Sequence, residues 1–194
     1  WLQHADSLLY GPPRGTTQKV ISITMKKSGR TLKARLYGLK HLSSRLKRAR
    51  HFRGHGVHSP YVYSIVRHVF MQRKLQHEGH ALYPQLIDKG VSKRRAIQLP
   101  NLATHCNYAS WSIDALNSSD IIFATLDVAH DKLTEYAEYA REHGITLCIM
   151  NPYNDAQRWA ICSSIIENHP CTTVDNRAYL LVFNNHLPKQ RFRL

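Results

Sequence analysis

Two short runs, Asp120 to Thr125 and Ile145 to Met150, are apolar on both faces, and between them lies a segment with a helical apolar period. A strand that is apolar on alternate residues packs one face, whereas a strand that is apolar throughout must be covered on both. That is the position of a central strand in a largely parallel sheet with helices above and below. The intervening segment, Asp131 to His143, places Leu133, Tyr136, Ala137 and Ala140 on one side and stops at Gly144, as a buried crossover helix should.

The same grammar extends in both directions. Upstream, Trp111 to Asp114 is a short strand candidate. Downstream, Asn154 or Asp155 caps a helix with Trp159, Cys162, Ile165 and Ile166 inward, ended by His169-Pro170. Cys171 to Val174 and Tyr179 to Phe183 then read as a closing antiparallel hairpin around Asp175-Asn176-Arg177. The expectation is an α/β fold, a truncated Rossmann-like sheet of about five strands with a terminal antiparallel hairpin and helices on both faces.

Before this sheet the pattern is helical. Ser92 opens a segment with Ala96, Leu99, Leu102, Ala103 and Cys106 on one side, which Pro100 should kink. Leu75 to Lys89 reads as a polar connector crossing a surface. Ser59-Pro60 is a strong helix start, because the serine oxygen caps orphan N–H groups and proline at the first helical position loses no hydrogen bond. Val62, Ile65, Val66, Val69 and Phe70 then form an apolar stripe that leaves Arg67, His68 and Arg73 outside it. Further back, Leu32, Leu36, Leu39, Leu42 and Leu46 give a basic amphipathic helix.

Charge divides the chain as sharply as pattern does. Residues 1–78 carry 16 Lys/Arg against two acids, and residues 79–194 carry 11 of each sign, so the formal net charge of +14 resides in the first part. Such asymmetry points to a polyanion-facing segment joined to an ordinary domain. Arg45, Lys47, Arg48, Arg50 and Arg53 are the expected phosphate contacts, with RNA, ribosomal RNA included, as the leading partner. The alternatives are a leucine stripe that packs on the body and, third, an anionic membrane surface. His55 and His58, with Ser59 and Pro60, form the hinge and are read as hydrogen-bonding or phosphate-contacting groups. No cysteine or acid lies near enough in sequence to complete a metal site with the two imidazoles.

Residues 1–24, which include Gly11-Pro12-Pro13-Arg14-Gly15, are expected to be a disordered or non-native leader, with Met25 as a natural start. Residues 25–58 are then the basic arm and hinge, and 59–194 the α/β domain. Cys106, Cys148, Cys162 and Cys171 lack CxxC spacing and fall in interior-like stretches, which predicts reduced, buried thiols and a cytoplasmic setting. No apolar run is long enough to span a bilayer.

The hinge His55-Gly56-Val57-His58-Ser59-Pro60-Tyr61-Val62-Tyr63 resembles the N-terminal signature of a group of bacterial class I S-adenosylmethionine-dependent methyltransferase-like proteins. The stretch from Val182-Phe183 to Pro188-Lys189-Gln190-Arg191-Phe192-Arg193-Leu194 is similar to that group's closing strand and tail. Asp120-Ile121-Ile122-Phe123 with Asp127-Val128-Ala129-His130 looks like its fourth strand and following loop. The resemblance implies an S-adenosylmethionine site built on a glycine-rich loop after strand one and an acid after strand two. Here there is room for one short strand in that region, Val128 replaces the loop glycine, and Asn151 and Asn154 replace acids found in metal-dependent relatives.

Asp127, His130 and Asp155 are the remaining catalytic candidates at the carboxyl end of the sheet. The expected function is therefore that of a methyltransferase-like protein with a degenerate site, non-catalytic and without cofactor or metal. The alternatives are a basic RNA-binding module, or an active methyltransferase that binds S-adenosylmethionine with a site completed by a partner.

Overall fold

Residues 57–194 are described in the computed structural model. The leader, the arm residues Arg45, Lys47, Arg48, Arg50 and Arg53, and His55 of the hinge lie outside the described residues. Within them, Ser59 is extended (φ −83°, ψ 116°) and its Oγ accepts the Val62 N–H at 3.3 Å, with Pro60 in the first turn. Helix α1 (Pro60–Ile65) runs directly into a wider π turn, Val66–Phe70. Val62, Ile65, Val66 and Val69 are buried and Arg67, His68 and Arg73 are exposed, as the stripe predicts.

The expected polar connector contains a helix, α2 (Leu82–Asp88), whose Leu82 and Leu86 are wholly buried. Leu82 and Leu86 are one turn apart and Tyr83 and Ile87 lean on the same core. Pro84 falls in the first turn, where N–H groups have no intrahelical partner to lose. Helix α3 (Lys93–His105) is continuous across the buried Pro100, and the Ser92 carbonyl accepts the Arg95 and Ala96 N–H groups at 2.8 and 3.0 Å.

The sheet is built from β1 (Trp111–Ile113), β2 (Ile121–Ala124), β3 (Thr146–Met150), β4 (Thr173–Asp175), β5 (Tyr179–Val182) and β6 (Arg191–Arg193), in the order β1-β2-β3-β5-β4-β6. Strands β1, β2 and β3 are parallel, with Ile113 opposite Phe123 and Phe123 opposite Cys148. Strand β5 is inserted antiparallel between β3 and β4, so that Leu181 faces both Cys148 and Val174. The closing hairpin is present, but the count of strands is six rather than about five. Strand β6 escapes a sequence reading because Arg-Phe-Arg has no apolar run. It pairs with the free edge of β4, placing Phe192 beside Val174 between two exposed arginines.

Alternate residues of the central strands serve two cores. Ile121, Phe123, Cys148, Met150, Leu181 and Phe183 pack beneath α1, α2 and α3. Ile122, Ala124, Leu147, Ile149, Leu180 and Val182 pack against helices α4 (Lys132–Glu142) and α5 (Ala156–Asn168). The result is a mixed α/β sheet covered on both faces. Within α5 the inward row is Arg158, Cys162, Ile165 and Ile166. Trp159, expected inward, is half-buried and stacks on Tyr153 with ring centroids 4.2 Å apart, because Arg158 holds the interior position. Cys148 and Cys162 are buried as expected, whereas Cys106 and Cys171 are partly exposed at element ends; all four are free thiols.

Candidate functional site

Because β1, β2 and β3 run parallel, their carboxyl ends deliver Asp114, the Thr125 to His130 loop and the Asn151 to Asp155 loop to one edge of the sheet. Ligands of open α/β folds sit in the crevice beyond this edge. Asp114, in a left-handed conformation at φ 56°, accepts the Thr125 N–H at 2.7 Å and the Thr125 hydroxyl at 2.8 Å. Lys89, which follows α2, reaches across with Nζ 2.8 Å from Asp114 and 3.3 Å from Asp127. The hydrogen bond to Asp114, with the fields of both carboxylates, raises the Lys89 pKa in spite of burial.

Asp155 is the N-cap of α5. It accepts the Arg158 N–H at 2.9 Å and the Asn154 amide at 3.0 Å, and His130 Nε2 lies 3.3 Å from Oδ2. Burial alone pushes this carboxyl up, but those donors and the charges of His130 and Arg158 hold it below its ordinary value. Of the three candidates, His130 and Asp155 are thus brought together, while Asp127 is drawn away to Lys89.

Beneath these groups lies a residue that the candidates did not include. Arg158 is wholly buried, and its Nε donates to the Met150 carbonyl at 3.2 Å. Its Nη1 donates to Val128 O at 3.4 Å, and Nη2 to Thr125 O at 2.9 Å and Ala124 O at 3.5 Å. Burial lowers the pKa, partly offset by Cys162, Asp155 and Asp114. A guanidinium nevertheless stays charged in proteins. Carbonyl groups at the ends of β2 and β3 that would otherwise face the crevice are therefore engaged by the protein's own cation.

The signal for Arg158 was legible in one respect: with Cys162, Ile165 and Ile166 it completes a row at steps of four, three and one. A charged residue in an apolar row is normally assigned to the helix's edge, and nothing local tells that carbonyls await it. Lys89 and Asp114 left no signal, since their meeting depends on where α2 lands.

Two cavities flank the sheet. Beyond the carboxyl end, one of about 320 Å³ is lined by Asp114, Asp127, Lys132, Glu135 and Tyr136. Lys132 pairs with Glu135 at 2.8 Å, and Asp114 and Asp127 pair with Lys89. At the amino end, one of about 550 Å³ is lined by Tyr61, Cys106, Tyr108, Asp120 and Thr146 among others. There Tyr108 Oη and Thr146 Oγ1 are 2.7 Å apart, and Asp120 Oδ2 accepts the N–H groups of Ala109 and Ser110, both at 2.8 Å. The Ser110 N–H, together with its hydroxyl and the Ala109 N–H, holds the Asp120 carboxyl below its ordinary value.

In the hinge, Ser59 caps and Pro60 starts α1, while His58 is exposed. Among the described residues no three His, Cys, Asp or Glu side chains are grouped to hold a metal ion. No helix among them is long and apolar enough to cross a membrane. No family model, curated protein or solved structure matches the chain.

Proposed function

We propose that this chain is a methyltransferase-like α/β protein with a degenerate cofactor site that acts by binding RNA, the body serving as platform for the basic arm. The observation that carries the proposal is the internal pairing of polar groups at the carboxyl end of the sheet. Arg158 engages four carbonyls at and beyond the ends of β2 and β3, and Lys89 bridges Asp114 and Asp127. Those groups are engaged with one another, so the carbonyls and carboxylates at the ends of β2 and β3 are already partnered within the protein where a nucleoside cofactor would seek them.

The connection from β1 to β2 supports the same reading. Parallel neighbours normally need a crossover of a dozen or more residues, usually a helix. Here Asp114 to Asp120 make the return without one. The crossing is feasible because strands of three or four residues are about 10 to 13 Å long. In the methyltransferase-like family this is where the cofactor half of the sheet would intervene. The antiparallel β5 between β3 and β4 is in keeping with that family's closing hairpin.

On this reading Arg45, Lys47, Arg48, Arg50 and Arg53 contact phosphates. Titration of a labelled RNA over a range of salt concentrations tests it. Affinity should fall steeply with salt, and replacing the five residues by Gln should flatten the dependence, since each phosphate contact on a single strand contributes a log-log slope of about −0.7. Salt-independent binding, or binding that survives all five substitutions, would sink the proposal.

A further inference from the structure

The cations of the π turn, the segment after it and the start of α3 differ from those of the crevice. Arg67, Arg73, Lys74 and Arg94 are exposed, and none of them is ion-paired among the described residues. They come from two segments that the fold binds rigidly together. The Gln98 amide, one turn after Arg94, donates to the Phe70 carbonyl at 2.7 Å. The Asn101 amide donates to the Lys74 carbonyl at 2.9 Å, and its Oδ1 accepts the Gln76 N–H at 2.9 Å. The main chain from Phe70 to Gln76 is therefore tied to α3 by buried polar side chains, Gln98 and Asn101 each being 1 % exposed.

An apolar feature accompanies them. Tyr63, Met71 and Leu126 are the exposed large hydrophobic residues of the described chain, at 42 to 43 % exposure. Tyr63, in α1, stands four residues before Arg67, the spacing of neighbours on a helix surface, and Met71 caps the π turn that carries Arg67. An exposed aromatic ring beside unpaired cations is the arrangement that binds single-stranded nucleic acid, with a base stacked on the ring and phosphates on the cations.

We propose that Tyr63, Arg67, Met71, Arg73, Lys74 and Arg94 form a single-stranded RNA site on the folded body. The inference rests on the RNA-binding reading above and adds a base-stacking contact to the arm's phosphate contacts.

The test uses the full chain and a fluorescein-labelled 12-nucleotide oligouridine, with thermal unfolding of each variant as fold control. Tyr63→Ala should weaken binding about fivefold or more, as loss of one stacked base does, and Tyr63→Phe should restore it. Joint replacement of Arg67, Arg73 and Lys74 by Gln should reduce the salt slope by about 2, at about 0.7 for each phosphate lost. If all four changes together leave affinity and slope unaltered while the arm substitutions abolish binding, this site is refuted and the arm stands. If the parent chain shows no salt-dependent RNA binding, the functional reading falls and takes this site with it. If the face variants lose binding to phosphatidylserine vesicles but keep RNA affinity, the face serves a membrane and the inference is overturned.

Discussion

The carboxyl end of the sheet and the outer face of the π turn with the segment after it are both rich in charge, yet they use it in opposite ways. At the sheet edge each central charge has a protein partner: Lys89 holds Asp114 and Asp127, Asp155 holds the start of α5, and Arg158 is closed in by carbonyls. On the outer face Arg67, Arg73 and Lys74 have no ion partner among the described residues. A charge satisfied within the fold contributes to stability, or to avoiding a desolvation penalty, and is unavailable to a ligand. An unpaired exposed cation contributes almost nothing to stability and is available to a polyanion. On the proposed reading, the position where an α/β protein ordinarily binds serves the fold, and the binding surface lies elsewhere.

The sharpest way to break this contrast is Arg158→Ala. It strands four carbonyls and leaves a cavity, so urea denaturation should show a loss of about 3 to 5 kcal/mol. A loss under about 1 kcal/mol, the range of an ordinary surface substitution, would show that the guanidinium does not hold these carbonyls. Next in size is Leu86→Ala in α2, whose side chain is wholly buried; a cost of about 3 kcal/mol is expected. Trp159→Ala should cost less, about 1 to 2 kcal/mol, because the ring is half-buried against Tyr153 and the loss is mainly one aromatic contact with partial area burial. If Trp159→Ala proves costlier than Leu86→Ala in the same denaturation series, the assignment of α5's inward face is wrong.

The smallest expected effect is a pH dependence. His169 is 6 % exposed, caps the end of α5, and its Nε2 lies 2.7 Å from the Phe183 carbonyl. Burial lowers its pKa below the ordinary 6.5, the Phe183 carbonyl opposing and Arg141 and Lys189 adding to the effect. Below that ordinary value the unfolded chain takes up a proton that the folded chain resists. Stability should therefore be level above pH 6.5 and fall as pH drops from there towards the lower folded value. The melting temperature of His169→Gln should lose part of this dependence, and an identical profile for the variant would remove His169 from the account.

What could be read from the sequence divides along the same line. Ile121 to Ala124 and Thr146 to Met150 are buried strands because an unbroken apolar run admits few other structures, and Ser59-Pro60 starts a helix by chemistry that is entirely local. Helix α2 was hidden because its stripe is short, Leu82 and Leu86, within a polar stretch. Strand β6 was hidden because an edge strand is held by backbone pairing, which Arg191-Phe192-Arg193 does not advertise. In the site, His130 and Asp155 could be placed together because both follow adjacent parallel strands. Lys89 and Arg158 could not, since their partners are separated from them by 25 residues or more or are main-chain carbonyls, to which side-chain chemistry gives no clue.

If the polar groups at the carboxyl end of the sheet serve the fold and not a cofactor, the crevice binds no nucleoside. Calorimetric titration of the full chain with S-adenosylmethionine and S-adenosylhomocysteine tests it most directly. The account predicts no saturable heat for either compound, at a protein concentration at which RNA binding is measurable. Saturable binding in the micromolar range, lost on substitution of Asp114 or His130, would contradict it.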